Sequence, residues 1–229
     1  MKITLLLSVM IFIIVPLTPL SEEKQELPKD DLFTIMKGKL VVKRTPVKGS
    51  PWPEIKITGR VKARPIESIS VFYAYHEHKE FLPDLLESTP VKYVSPSDVH
   101  IKFVMDIPWP LKNSRYVTGN KVKKLGENKF AIEWYLVKSN SSKESKGSVT
   151  FLPFKGETLL IYRTFINPKS KLAGLFRKKM VKKTVKSVKE IIRWIESKKM
   201  YHPKEIKNYI SLLNKTFEGD YVYKDIPRE

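Results

Sequence analysis

LLIYRTFINPKSKLAGLFRKKMVKKTVKSVKEIIRWIESKK, residues 159–199, changes its apolar period once, and that change decides the fold. Up to Phe165 the apolar positions Leu159, Ile161 and Phe165 share one parity, the spacing of a β-strand. From Pro168 to about Lys199 they step by three or four instead, through Leu172, Phe176, Met180, Thr184, Val188, Ile191 and Ile195. That is the stripe of one long amphipathic helix. Lys179, Lys182, Lys186, Lys189 and Arg193 make the same steps on roughly the reverse side, so the opposite face is cationic. A helix of this kind needs an apolar surface to cover, and the preceding sequence supplies one.

Val99, Ile101, Phe103, Met105 and Ile107 alternate with His100, Lys102 and Asp106, the pattern of a half-buried strand. Phe130, Ile132, Trp134 and Leu136 repeat it, as do Val149 and Phe151, while Gly126, Asn140 to Ser142 and Gly156 punctuate the connections. Connections this short join antiparallel neighbours. Before the meander, Leu40 to Val42 and Glu54 to Ala63 read as extended, separated by a turn rich in proline and glycine. Pro65 opens a helix carrying Ile66, Ile69, Phe72 and Tyr73, and Phe81, Leu82, Leu85 and Leu86 suggest a second short helix. After His202 and Pro203, the residues Ile206, Tyr209, Ile210 and Leu213 suggest a last one. The expected architecture is α+β: one domain over 32–200, a polar linker over 22–31 and an extension over 201–229.

The chain has 229 residues, enough for one sizeable core. Its 43 Lys and Arg against 24 Asp and Glu leave a formal charge of +19, which calls for a polyanionic partner or surface. The absence of cysteine excludes disulfides, thiol nucleophiles and thiolate metal sites. Residues 1–20 carry one cation, Lys2, then an apolar or small run from Ile3 through Val15, the layout of a secretory signal. No pair of small residues marks cleavage near Ser21, so an uncleaved membrane anchor stays open as the other reading. Both readings place the domain in the periplasm or outside the cell, where anionic lipid rather than nucleic acid is the expected polyanionic partner.

Two stretches carry a resemblance. PIESISVFYAYHEHKEFLPD at 65–84 resembles the passage from first long strand into helix pair, and DIPWPLKNSRYV at 106–117 the proline-tryptophan turn, of the START and wider Bet v 1-like (SRPBCC) superfamily. The resemblance spans about 32–199 and implies a helix-grip fold, a curved antiparallel sheet around a long C-terminal helix, with a habit of binding lipids or other apolar molecules. It departs from the family at Asn113, Ser114, Arg115 and Tyr116, where an Asp-Arg-Asp-aromatic run is usual, so no polar ligand contact carries over.

A cavity between such a sheet and helix would be lined from both walls. The candidates are Phe103, Met105, Trp134, Phe151, Ile161 and Phe165 on strands, and Met180 and Val188 on the helix. Arg163 shares parity with Ile161 and Phe165, so it either points inward toward a ligand oxygen or reaches the surface. The basic stripe is the candidate contact with an anionic membrane. No cofactor is implied, and no catalytic motif such as a nucleophile elbow or phosphate loop is present. His76 and His78, two apart on a helix, point to different faces and do not form a metal clamp. Two other functions stay open: a cyclase or aromatase using Arg163, Glu133 or Tyr135 as polarising groups, and a basic envelope protein with a filled core.

Overall fold

The structure is a computed structural model that describes residues 27–107 and 113–220. The export or anchor segment, and most of the proline-tryptophan turn, lie outside those residues. Among the described residues no helix is long and apolar enough to cross a membrane.

Helix α1 (Lys29–Met36) precedes strands β1 (Val41–Thr45) and β2 (Glu54–Val61). Helix α2 (Pro65–Tyr73), a 3-10 turn (Tyr75–Glu77) and α3 (His78–Phe81) follow. Six strands then form a meander: β3 (Leu85–Ser95), β4 (Asp98–Met105), β5 (Ser114–Gly126), β6 (Lys129–Ser139), β7 (Ser142–Phe154) and β8 (Glu157–Pro168). A 3-10 segment (Lys171–Phe176) leads into α4 (Arg177–Tyr201), and α5 (Pro203–Phe217) closes the chain's described part. All eight strands form one antiparallel sheet in the order β1-β2-β8-β7-β6-β5-β4-β3. The first strands therefore lie beside the last, and the sheet becomes a trough rather than a simple ribbon.

Local chemistry accounts for the joints. Pro65 fits the first turn of α2 because its missing N–H has no helical partner to lose, and the Glu67 carboxylate accepts from the Arg64 backbone N–H at 2.8 Å. Lys155 and Gly156, both at positive φ, form the two-residue turn between β7 and β8. His202 and Pro203 break α4 from α5 as the sequence suggests, because Pro203 has no N–H for a continuing helix.

One end of the trough is filled. Ile132, Val149, Phe151 and Leu160 meet Ile69 and Phe72 of α2 in the main core, and Ile206 and Leu213 of α5 belong to it. Helix α5 thus packs on the domain and adds to its core. A half-buried cluster locks it: Glu77 accepts from Lys198 Nζ at 2.6 Å, Tyr209 Oη at 2.6 Å and Trp194 Nε1 at 3.1 Å, and Lys198 also meets Glu205. Burial pushes the Glu77 carboxyl up, but these donors outweigh it and hold it below the usual carboxylate range.

Three sequence expectations are corrected. Of the linker expected over 22–31, residues 22–26 lie outside the described ones, and Lys29 already opens α1, whose Ile35 is fully buried. Leu85 and Leu86 do not extend a second helix, since Pro83 and the positive φ of Asp84 end it and Leu85 begins β3. The long helix starts at Arg177, not Pro168, because residues 171–176 take the tighter 3-10 turn.

Candidate functional site

The unfilled end of the trough, under the first half of α4, holds a cavity of about 780 Å³. β4 contributes Phe103 and Met105, β5 contributes Tyr116, Thr118 and Asn120, and β6 contributes Trp134. Across from them β8 supplies Tyr162, Thr164 and Ile166, and α4 supplies Met180, Thr184, Ser187 and Ile191. Thr184 and Ser187 donate to the carbonyls of Met180 and Lys183 one turn back, at 3.1 and 3.2 Å, so their hydroxyls face the space without needing a ligand.

The inner end is aromatic. Phe72, Tyr75 and Phe103 surround the His78 ring, with centroid separations of 4.9, 5.4 and 6.4 Å. His78 donates from Nε2 to the Phe72 carbonyl at 2.8 Å, and burial pushes its pKa down to about 4, so it is neutral at neutral pH. Phe103 stacks on Tyr116 and Trp134 leans on Tyr162, at 5.4 and 5.3 Å. Burial pushes the Tyr162 phenol up to about 12 and that of Tyr116 higher still, so neither ionises at neutral pH. The other end carries the exposed lining residues Asn140, Lys169, Ser170 and Lys179, which mark the mouth. Beside it Ser114 and Ser141 share a hydrogen bond of 2.5 Å, and Asn140 accepts from the Arg115 N–H at 2.8 Å.

Of the residues singled out from sequence, Phe103, Met105, Trp134 and Met180 line the cavity. Phe151 and Val188 point to the same side of their elements but are fully buried in the filled end. Ile161 and Phe165 are corrections. The parity of β8 is the reverse of the one expected: Leu160, Tyr162, Thr164 and Ile166 face inward, while Leu159 and Ile161 pack under Ile35 of α1 on the outer face. Arg163 goes with that outer set and is exposed, so it is no inward cation. Glu133, paired with Lys123 at 2.5 Å, and Tyr135 also lie off the cavity, which removes all three polarising groups of the enzyme reading from its wall. Lys179, Lys182, Lys186, Lys189 and Arg193 are all exposed on α4.

Sequence reading missed Tyr116, Thr118, Asn120 and Tyr162 and, at the mouth, Asn140, Lys169 and Ser170. Asn120 is nearly buried and gives its amide to the Thr118 carbonyl at 2.9 Å. A polar residue at a core parity, as in Thr118 and Asn120, is the signal that could have marked a cavity wall rather than a core.

No family model and no curated protein matches this chain by sequence. Solved structures do match by shape. A STAR-related lipid transfer protein fragment from Xanthomonas axonopodis is 19% identical with a TM-score of 0.61, covering 68% of this chain and 93% of that one. Human STARD10 is 13% identical with a TM-score of 0.63, covering 86% and 90%. The Zhui aromatase/cyclase from Streptomyces sp. R1128 is 9% identical with a TM-score of 0.55, covering 63% and 94%. Identities this low speak to fold alone, since one fold hosts many activities. With an eight-stranded antiparallel trough closed by a long C-terminal helix, and START domains as its structural neighbours, the chain has the START-type (SRPBCC, Bet v 1-like) helix-grip fold.

Proposed function

We propose that the protein binds one lipid-like apolar molecule in this cavity and exchanges it with an anionic membrane, without catalysing a reaction. The observation that carries the reading is the cavity itself. About 780 Å³ falls inside the roughly 300–1,000 Å³ typical of small-molecule sites, and a packed core leaves few voids larger than a water. Its wall is mostly aromatic and aliphatic, which rewards an acyl chain or ring system by about 25 cal/mol per Å² of apolar surface removed from water.

The surface around the mouth supports membrane exchange. From Pro168 to Lys189 the chain carries nine Lys or Arg and no acidic residue. Within that run Leu172 and Leu175 stand 57% and 81% exposed beside the mouth. Apolar side chains ringed by cations suit an anionic lipid interface, where each Lys adds about 1 kcal/mol. We further propose that residues 1–21 export or anchor the protein, which sets the basic face against membrane rather than nucleic acid. No cofactor takes part. Solvent extraction and mass spectrometry of the purified protein test the reading: a lipid at close to one molecule per chain supports it. A chain that arrives empty and takes up no lipid from vesicles overturns it.

A further inference from the structure

The cavity is charged at one end only. Among the described lining residues three are lysines, Lys169, Lys179 and Lys183, and none is Asp or Glu. Lys169 follows β8 and donates to the Ser139 carbonyl at 2.7 Å, while Lys179 and Lys183 stand one turn apart on α4. Lys183 is partly neutralised by Asp84 at 2.8 Å. Lys169 and Lys179 are exposed at the mouth, where their charge is available to whatever occupies it.

The inner end has no charge to offer. His78 sits there unprotonated at neutral pH, held by the Phe72 carbonyl, and the phenols of Tyr116 and Tyr162 stay protonated. An anion driven to that end would lose its water and meet no cation, and a cationic head at the mouth would meet Lys169 and Lys179 with no acidic residue among the described lining ones. The other polar groups of the wall include the hydroxyls of Thr118 and Ser145 and the amide of Asn120, which offer hydrogen bonds without adding charge.

We propose that the ligand is an anionic amphiphile, a long chain bearing one carboxylate or phosphate, bound tail-inward among Phe103, Trp134 and Tyr162 with its head at Lys169 and Lys179. The inference rests on the cavity being the ligand site. It sets orientation as well as class: the head stays at the mouth, where water still reaches it, and the tail takes the dry end. Solvated ion pairs contribute modestly, so selectivity against a neutral head is moderate and sensitive to salt.

Three probes of equal chain length test it by calorimetric titration without vesicles, below their aggregation concentrations: a fatty acid, an alkyl phosphate and a fatty alcohol. In the intact protein the two anions bind on the order of tenfold tighter than the alcohol at low salt, and added salt shrinks the gap. In a Lys169→Gln, Lys179→Gln double variant the anions weaken to the level of the alcohol, whose own affinity holds and shows that the cavity is intact. Equal affinity of all three probes in the intact protein overturns the inference while leaving the cavity reading standing, and so does an anion preference that survives in the double variant. If no probe binds, the cavity reading falls and the inference falls with it.

Discussion

His78 shows how far the inner end of the trough is from water. Its imidazole is ringed by Phe72, Tyr75, Phe81 and Phe103, and His76 and Glu77 are the charged or titratable groups that act on it electrostatically. Folding lowers its pKa from 6.5 to about 4, so between those values only the unfolded chain takes up the proton. Stability contributed by this group is therefore present above about pH 6.5 and is lost as pH falls toward 4, by about 3 kcal/mol in all. Urea unfolding at pH 7 and pH 4.5 should show the decline, and His78→Leu should flatten it. A second contrast separates wall from core. Phe151→Ala should cost about 3–5 kcal/mol, because Phe151 is fully enclosed. Trp134 is half-buried and faces open space, so Trp134→Ala should cost less, yet weaken ligand retention more. Both are read from denaturant midpoints and the lipid retained per chain. Gly147 belongs to the same arrangement, since a Cβ there would lie 2.2 Å from the Trp134 ring.

Which elements were legible in sequence depended on how many of their faces are apolar. β4 and β6 were readable because one face meets the trough and the other meets water. β8 is apolar on both faces: Leu160 and Tyr162 look inward, while Leu159 and Ile161 lie under α1. Periodicity then gives no direction, and the wrong parity drew Ile161, Arg163 and Phe165 into the site. β5 failed in the opposite way, because Thr118 and Asn120 stand where apolar residues would signal a strand. β3 was hidden by three irregularities in its pairing to β4 and by Pro90 within an edge strand. The long helix was plain from Arg177 onward, since its two faces differ so strongly. Its cationic face makes its own prediction. Lys182→Glu, Lys186→Glu and Lys189→Glu together, in a chain lacking residues 1–21, should abolish sedimentation with anionic vesicles. Thermal stability and bound lipid should stay unchanged, because all three side chains are exposed. Undiminished sedimentation would reduce the stripe to a solubilising face.

Across the whole molecule, the sheet order places β1 and β2 beside β8, which curls the meander into a trough that α2 and α5 fill at one end and α4 spans at the other. The fold thus makes a core and a cavity from the same sheet face. A cavity kept for a ligand tolerates added volume, whereas a core does not. Thr184 projects from α4 into the space, so Thr184→Trp should occupy it without breaking packed contacts. The most direct measurement is a titration of the intact protein and of Thr184→Trp with a fluorescent long-chain lipid. The intact protein should show one saturable site per chain, and the variant should lose it while melting at nearly the same temperature. Equal binding by both proteins would contradict the cavity reading, placing the lipid somewhere other than the cavity, and so would the absence of binding by either.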